Sequence, residues 1–480
     1  MRARLLHLTL VVTALSTGAC VYYNGMYNAN RLARSARKAE REGRTFEANG
    51  LWGQVATKAE SVIVRHPTSK YAAEAEVLRG VALSRMGQCD QALGSLSDLG
   101  LAKIAPDLKE DALLALGRCQ AASGNAEAAD AAFVQLLDSK SPDRRLEAQF
   151  QHARLLRQSG RYLEALQALP NVRDTRSDTE RLLALAGAGR LPDAMVVADS
   201  LLARTDSTKH WDSLVVVLGE ENPIAASSVV DRVRKLPGRT REAEAKLLLE
   251  DGLRLESVDT ARAARRFKET IAVGKNANAI AQAHLELLQM DLRRVGRPEE
   301  LAPVAAKLKG LSERSETVSE EISQLSTKVG DVQIAGSSVT PETLQGDLRL
   351  FLAAESARDS LAAPRLAETL FRRIPEQFPG SAYAPKAILA AQQLNSAWAD
   401  SARALLQERY FDSPYLAMIR GEATPEYREL EDSLGVFAAA QGARKPAEGI
   451  RRAPTIRDTE REGPARPRAT PGGSRVPEPQ

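Results

Sequence analysis

Aromatic side chains are scarce: nine Phe, nine Tyr and three Trp make up 4% of the 480 residues. A core must therefore be built mainly from Ala, Leu and Val. That argues against a β-barrel or sandwich, which draws on β-branched and aromatic residues, and favours helices. Histidine and cysteine are also rare, at five and three. His7 lies in a leader-like segment and His66 at a turn, His152 falls at a packing position, and His210 and His284 have no Cys or His at ligand spacing, so no metal site is expected. Charge of one sign is lacking too. Taking Arg2, Arg4 and a C-terminal tail with four surplus positive charges from the net +4 leaves a body near −2, which speaks against a nucleic-acid binder. No HExxH, CxxC, GxSxG or GxxxxGK[ST] pattern occurs. The expectation is a chain that is not an enzyme and carries no cofactor.

What is present starts at the N-terminus. Arg2 and Arg4 precede a short apolar run, Leu5 to Leu15, too short to cross ~30 Å of hydrocarbon, so the segment reads as a secretory signal. Thr17-Gly18-Ala19 then lead directly to Cys20. Small residues ending at a cysteine resemble the lipobox of bacterial lipoproteins. The family prefers an aliphatic residue where Thr17 stands, while Gly18 and Ala19 fit. The resemblance implies that Cys20 becomes the first mature residue and carries acyl chains such as palmitate, which together anchor stably. The other reading is an ordinary signal peptide cut after Ala19, with Cys20 incidental. With Val21 rather than Asp after the cysteine, the sorting rule of enteric bacteria implies the outer membrane. Cys89 and Cys119 would then lie in an oxidising compartment, as a disulfide or as two buried small apolar residues.

The body is built of repeats. In EDALLALGRCQAASGNAEAADAAFVQLL (110–137), Gly117 is followed by Gly124, Ala126, Ala129 and Phe133. The same offsets recur as Gly80, Gly87, Cys89, Ala92 and Leu96, as Ala153, Gly160, Tyr162, Ala165 and Leu169, and as Gly189, Leu191, Ala194 and Ala198. Each copy predicts a helix stopped by a left-handed glycine. A second helix follows, whose alanine permits close approach and whose bulky residue four positions on fills the gap. Weaker copies surround Ala226, Ala263 with Phe267, and Gly296 with Leu301, and clear ones resume at Ala367, Phe371, Ile374 and Pro379, then at Ala402, Leu406 and Pro414. HPTSKYA (66–72), FPGSAYA (378–384) and DSPYLA (412–417) share a junction in which Pro breaks one helix and Ser caps the next.

This spacing resembles the tetratricopeptide repeat over about residues 40–435. The junctions on a lipid-anchored repeat chain are similar to two envelope families, the helical lipoprotein of the outer-membrane β-barrel assembly machinery and the periplasmic cell-division coordinator. The implied fold class is all-α, a TPR-like α-solenoid of stacked helix pairs with an N-terminal lipoprotein signal and a disordered tail. The expected divisions are a signal over 1–19, a tether and first helix start over 20–39, a solenoid over 40–310, a helix and linker over 311–342, further repeats over 343–437 and a tail over 438–480. The linker is GDVQIAGSSVTP (330–341). The tail has seven prolines, nine Arg or Lys and no aromatic, so it cannot bury a core. Its positive charge could touch anionic envelope polymers, or simply be solvated.

In the tetratricopeptide family the first helices hold segments of partner proteins. Carried over by register, the groove positions here are Arg85, Arg118, Arg154 and Arg157, suited to gripping carboxylates by forked hydrogen bonds or merely to solvating the face. The resemblance implies an outer-membrane-anchored, periplasm-facing scaffold for protein contacts in envelope assembly, of the barrel-insertion or export type. The alternative is a cell-wall module that coordinates or carries out peptidoglycan processing.

Overall fold

A computed structural model describes residues 25–97, 104–312, 319–420, 422 and 425–440. The signal segment, Cys20 and the tail beyond 440 lie outside the described residues. Among those described there are 23 α-helices, two short 3-10 turns and no strand. The chain divides into two compact units between Arg239 and Thr240.

The first unit holds twelve helices: α1 (Tyr27–Arg41), α2 (Thr45–Arg65), α3 (Ala72–Arg85), α4 (Cys89–Ser97), α5 (Pro106–Ala122), α6 (Ala126–Val134), α7 (Pro142–Gln158), α8 (Tyr162–Ala168), α9 (Thr175–Gly187), α10 (Leu191–Leu202), α11 (Thr208–Glu221) and α12 (Pro223–Val233). They pack as consecutive pairs, and from α3 to α11 successive first helices also pack against each other. This is the helix-pair stacking of a TPR-like fold.

The local cause of each pair is legible. Gly87, Gly124, Gly160 and Gly189 all take positive φ, between 73° and 80°. The residue after each glycine donates its N–H back across the last turn, Gln88 to Leu83 O and Asn125 to Gln120 O at 2.9 Å, Arg161 to Leu156 O at 2.8 Å and Arg190 to Leu185 O at 2.9 Å. That closes the helix end with the left-handed stop. The alanines Ala92, Ala129, Ala165 and Ala194 are buried at the contact of each pair. Gly117 is needed for space: a Cβ there would sit 2.5 Å from the Phe133 ring, and one on Gly80 would sit 2.6 Å from Leu96 Cγ. In all three Ser-containing junctions the serine accepts the tyrosine N–H, Ser69 from Tyr71 at 3.2 Å, Ser381 from Tyr383 at 3.1 Å and Ser413 from Tyr415 at 3.4 Å.

The N-terminal stretch differs from the expected tether. Residues 27–41 are a full helix that buries Ala29, Ala33, Ala36 and Ala39 against α2. Gly43, at φ 72°, Thr45, Ala48 and Trp52 reproduce the repeat offsets, so α1 and α2 are a complete pair. Thr in place of the usual apolar residue hides this copy in the sequence.

The second unit holds α13 (Arg241–Leu255), α14 (Thr260–Val273), α15 (Ala277–Leu292), α16 (Ala302–Ser312), α17 (Ser319–Ser338), α18 (Gly346–Asp359), α19 (Pro364–Gln377), α20 (Ala384–Leu394), α21 (Ala399–Arg409), α22 (Pro414–Ile419) and α23 (Pro425–Ala440). Its main core joins Leu285, Leu301, Ile322, Val332, Phe351, Phe371 and Ile374. The expected linker over 330–341 is helical as far as Ser338. Val329 and Val332 are buried there, and a Cβ on Gly336 would lie 2.6 Å from Pro298 Cγ. Gly336 is a close-packing residue rather than a turn residue. The single helix expected over 311–329 is split between α16 and α17, with 313–318 outside the described residues.

Candidate partner-binding face

The first-helix face of the first unit carries two registers of charge. Thirteen residues before each turn glycine stand Asn30, Glu74, Asp111, Glu147 and then Arg176. Six residues before it stand Arg37, Val81, Arg118, Arg154 and Leu183. Because neighbouring first helices lie side by side, an arginine of one pair meets an acid of a later pair.

Asp111 takes Arg37 Nη2 at 2.7 Å and Arg144 Nε at 3.0 Å, while Arg144 also reaches Asp107 at 2.9 Å and Glu110 at 3.2 Å. Glu147 is held from both sides, by Arg118 Nη2 at 2.5 Å and by two nitrogens of Arg176 at 2.6 and 3.0 Å. The Arg176 guanidinium also stacks 3.5 Å from the centre of the Phe150 ring. Burial works against the Glu147 charge, but the Arg176 hydrogen bonds and the Arg118 charge outweigh it and hold the carboxyl at about 2.

Of the four predicted groove arginines, three are committed inside the chain. Arg85 lies 3.2 Å from Glu40 and 5.9 Å from the Trp52 ring centre, and Trp52 itself donates Nε1–H to Glu40 at 2.8 Å. Burial and the neighbouring Arg118 charge lower the Arg85 pKa. Arg118 is the partner of Glu147. Arg157 is 5% exposed, with Nε 2.7 Å from Glu180 and a second contact to Glu221. Burial disfavours its charge, yet the two carboxylates raise its pKa. These three lie on the first helices α3, α5 and α7, and they bind the chain's own acids.

Arg154 is different. It sits at the register of Arg37 and Arg118, but the next residue in the acidic register is Arg176, of like charge. Its side chain remains 49% exposed, with Glu180 no nearer than 3.8 Å. The acids Glu40, Asp111, Glu147, Glu180 and Glu221 were not anticipated as a set. The thirteen-residue offset of Glu74, Asp111 and Glu147 is the signal that marks three positions of this face.

Cys89, at the start of α4, is bonded to Cys119 in α5, with 4.9 Å between the Cα atoms. The bridge ties the second helix of one pair to the first helix of the next. No group of three or more His, Cys, Asp or Glu among the described residues is arranged to hold a metal ion.

No family profile matches the chain, and no curated protein matches it. Solved structures do. A tetratricopeptide repeat protein from Parabacteroides merdae is 16% identical, with 54% of this chain and 97% of that one covered and a TM-score of 0.33. The Naa15/Naa10 structure with HypK-THB gives 13% identity over 92% of this chain and 67% of that one, TM-score 0.27. Yeast Tom70 gives 12% identity over 91% and 99%, TM-score 0.18.

Proposed function

We propose that this chain is a non-catalytic scaffold that holds a carboxylate-bearing segment of a partner protein on the first-helix face of its first unit. Arg154 carries the reading: it is half exposed on a face where Arg37, Arg118 and Arg157 all have close acidic partners. A partner carboxylate would supply the forked acceptor that the chain's own register withholds. The setting proposed is the bacterial envelope, with acyl chains on Cys20 in the outer membrane and the repeats facing the periplasm. The lipobox-like Thr17-Gly18-Ala19-Cys20 sequence supports the anchor, and the Cys89–Cys119 bridge suits an oxidising compartment. Barrel insertion or export complexes are the proposed context. In the test, Arg154→Glu is introduced into the full chain, and neighbours are cross-linked in native envelopes and identified by mass spectrometry. Loss of specific partners with thermal unfolding unchanged is the expected result; an unaltered profile overturns it. Labelling with a palmitate analogue should mark the chain and fail on Cys20→Ser.

A further inference from the structure

In the second unit α18 pairs with α19 and α20 with α21, and the face formed by the first helices α18, α20 and α22 is covered by the chain itself. The helix α23 presents Tyr427, Leu430, Glu431 and Leu434 on one side, at helical spacing, while Arg428, Glu429, Asp432 and Ser433 face solvent. Its named contacts fall on α20, on Tyr383 just before it, and on α22. Glu431 accepts from Lys386 Nζ of α20 at 2.6 Å and from the Tyr415 hydroxyl of α22. The Tyr427 ring meets Tyr415 edge-on at 5.4 Å, and the Leu434 carbonyl accepts the Tyr383 hydroxyl at 3.5 Å. Beneath lies Phe351 of α18, with Lys386 Nζ 5.4 Å from its ring centre, and Glu355, whose carboxyl burial pushes above its usual range. Leu434 is the one apolar side chain of α23 counted as buried among those described, whereas α18, α19 and α20 each bury five or more.

We propose that α23 is a removable occupant of this face, standing where a partner helix of the same chemistry binds. That helix would present an aromatic residue, two leucines and a carboxylate at the spacing of Tyr427, Leu430, Glu431 and Leu434. The carboxylate seats on Lys386 and the Tyr415 hydroxyl, and the second leucine fills the site of Leu434. Tethered a few residues after α22, α23 competes at a high effective concentration, so the partner binds only by displacing it. The inference rests on the protein-binding reading above but uses different residues, in a different unit.

The test uses the full chain and a fluorescent peptide of residues 425–440. Leu434→Asp should raise hydrogen exchange in 425–436 while 346–409 stays protected, and should tighten peptide binding at least tenfold over the unaltered chain. Adding Lys386→Glu should abolish that binding, and a peptide carrying Glu431→Lys should restore it. Loss of protection across 346–409 in Leu434→Asp would make α23 an integral end cap and overturn the proposal, as would a folded variant that binds the peptide no better. Failure here leaves Arg154-dependent capture standing, and failure of that capture leaves peptide binding to be read by itself.

Discussion

Arg154 and Arg157 lie one helical turn apart on α7, yet they should respond differently to mutation. Arg157 is enclosed between Glu180 and Glu221, so Arg157→Ala would leave two carboxylates facing each other away from water. We expect a loss of about 3–5 kcal/mol in urea unfolding, because removing one partner of a buried ion pair strands the other. Arg154→Glu should change stability by no more than about 0.5 kcal/mol, as for an exposed site. Glu147 gives a pH dependence whose sign is fixed. Its pKa falls from 4.5 to about 2 on folding, so its contribution is fully present above about pH 5 and fades as pH drops toward 2. The size, roughly 3 kcal/mol, follows from about 1.4 kcal/mol per pKa unit. Acid titration of unfolding free energy should show this loss, and Glu147→Gln should remove most of it.

At the scale of the helix pair, backbone conformation decides. Gly160 takes φ +76° with open space around its α-carbon, so Gly160→Ala tests strain alone. It should cost about 1 kcal/mol, the price of a left-handed non-glycine residue. Ala362 stands five residues before Ala367, the offset of the turn glycines from their alanines, at φ +49°, and the residue after it, Ala363, donates its N–H to Ala357 O at 2.8 Å. Ala362→Gly should therefore stabilise, by a few tenths of a kcal/mol after the glycine's added freedom in the unfolded chain is subtracted. Thermal denaturation of the pair checks both signs. These turns show why the fold was readable: four pairs place a glycine at one offset, and φ between 73° and 80° follows. The α1–α2 copy was hidden by Thr45, and residues 330–338 looked like a linker because glycine serves close packing as well as turns. The helices that carry the arginines were readable, but not the arginines' pairing. Which acid an arginine meets depends on the neighbouring pair, and spacing within one copy does not contain that information.

At the scale of the whole molecule, the Cys89–Cys119 bridge is the covalent tie between neighbouring helix pairs. The bridge closes a loop of 30 residues inside the first unit. Replacing both cysteines by serine should lower stability by about 3.6 kcal/mol on the chain-entropy scale, and a reductant should do the same to the unaltered chain. Hydrogen exchange should register the change around α4 and α5 first.

The acidic register also works as a ruler. Glu74, Asp111 and Glu147 repeat at intervals of 37 and 36 residues; the Asn30 amide reaches Glu74, while arginines of other pairs reach Asp111 and Glu147. An extra helix pair spliced in between α6 and α7, with a carboxylate thirteen and an arginine six residues before its turn glycine, would meet Arg118 on one side and Glu147 on the other and could be accommodated. Spliced in between α10 and α11, it would part Arg157 from Glu221 and gain no match in return. Urea unfolding of the two length variants should therefore find the first insertion the more stable.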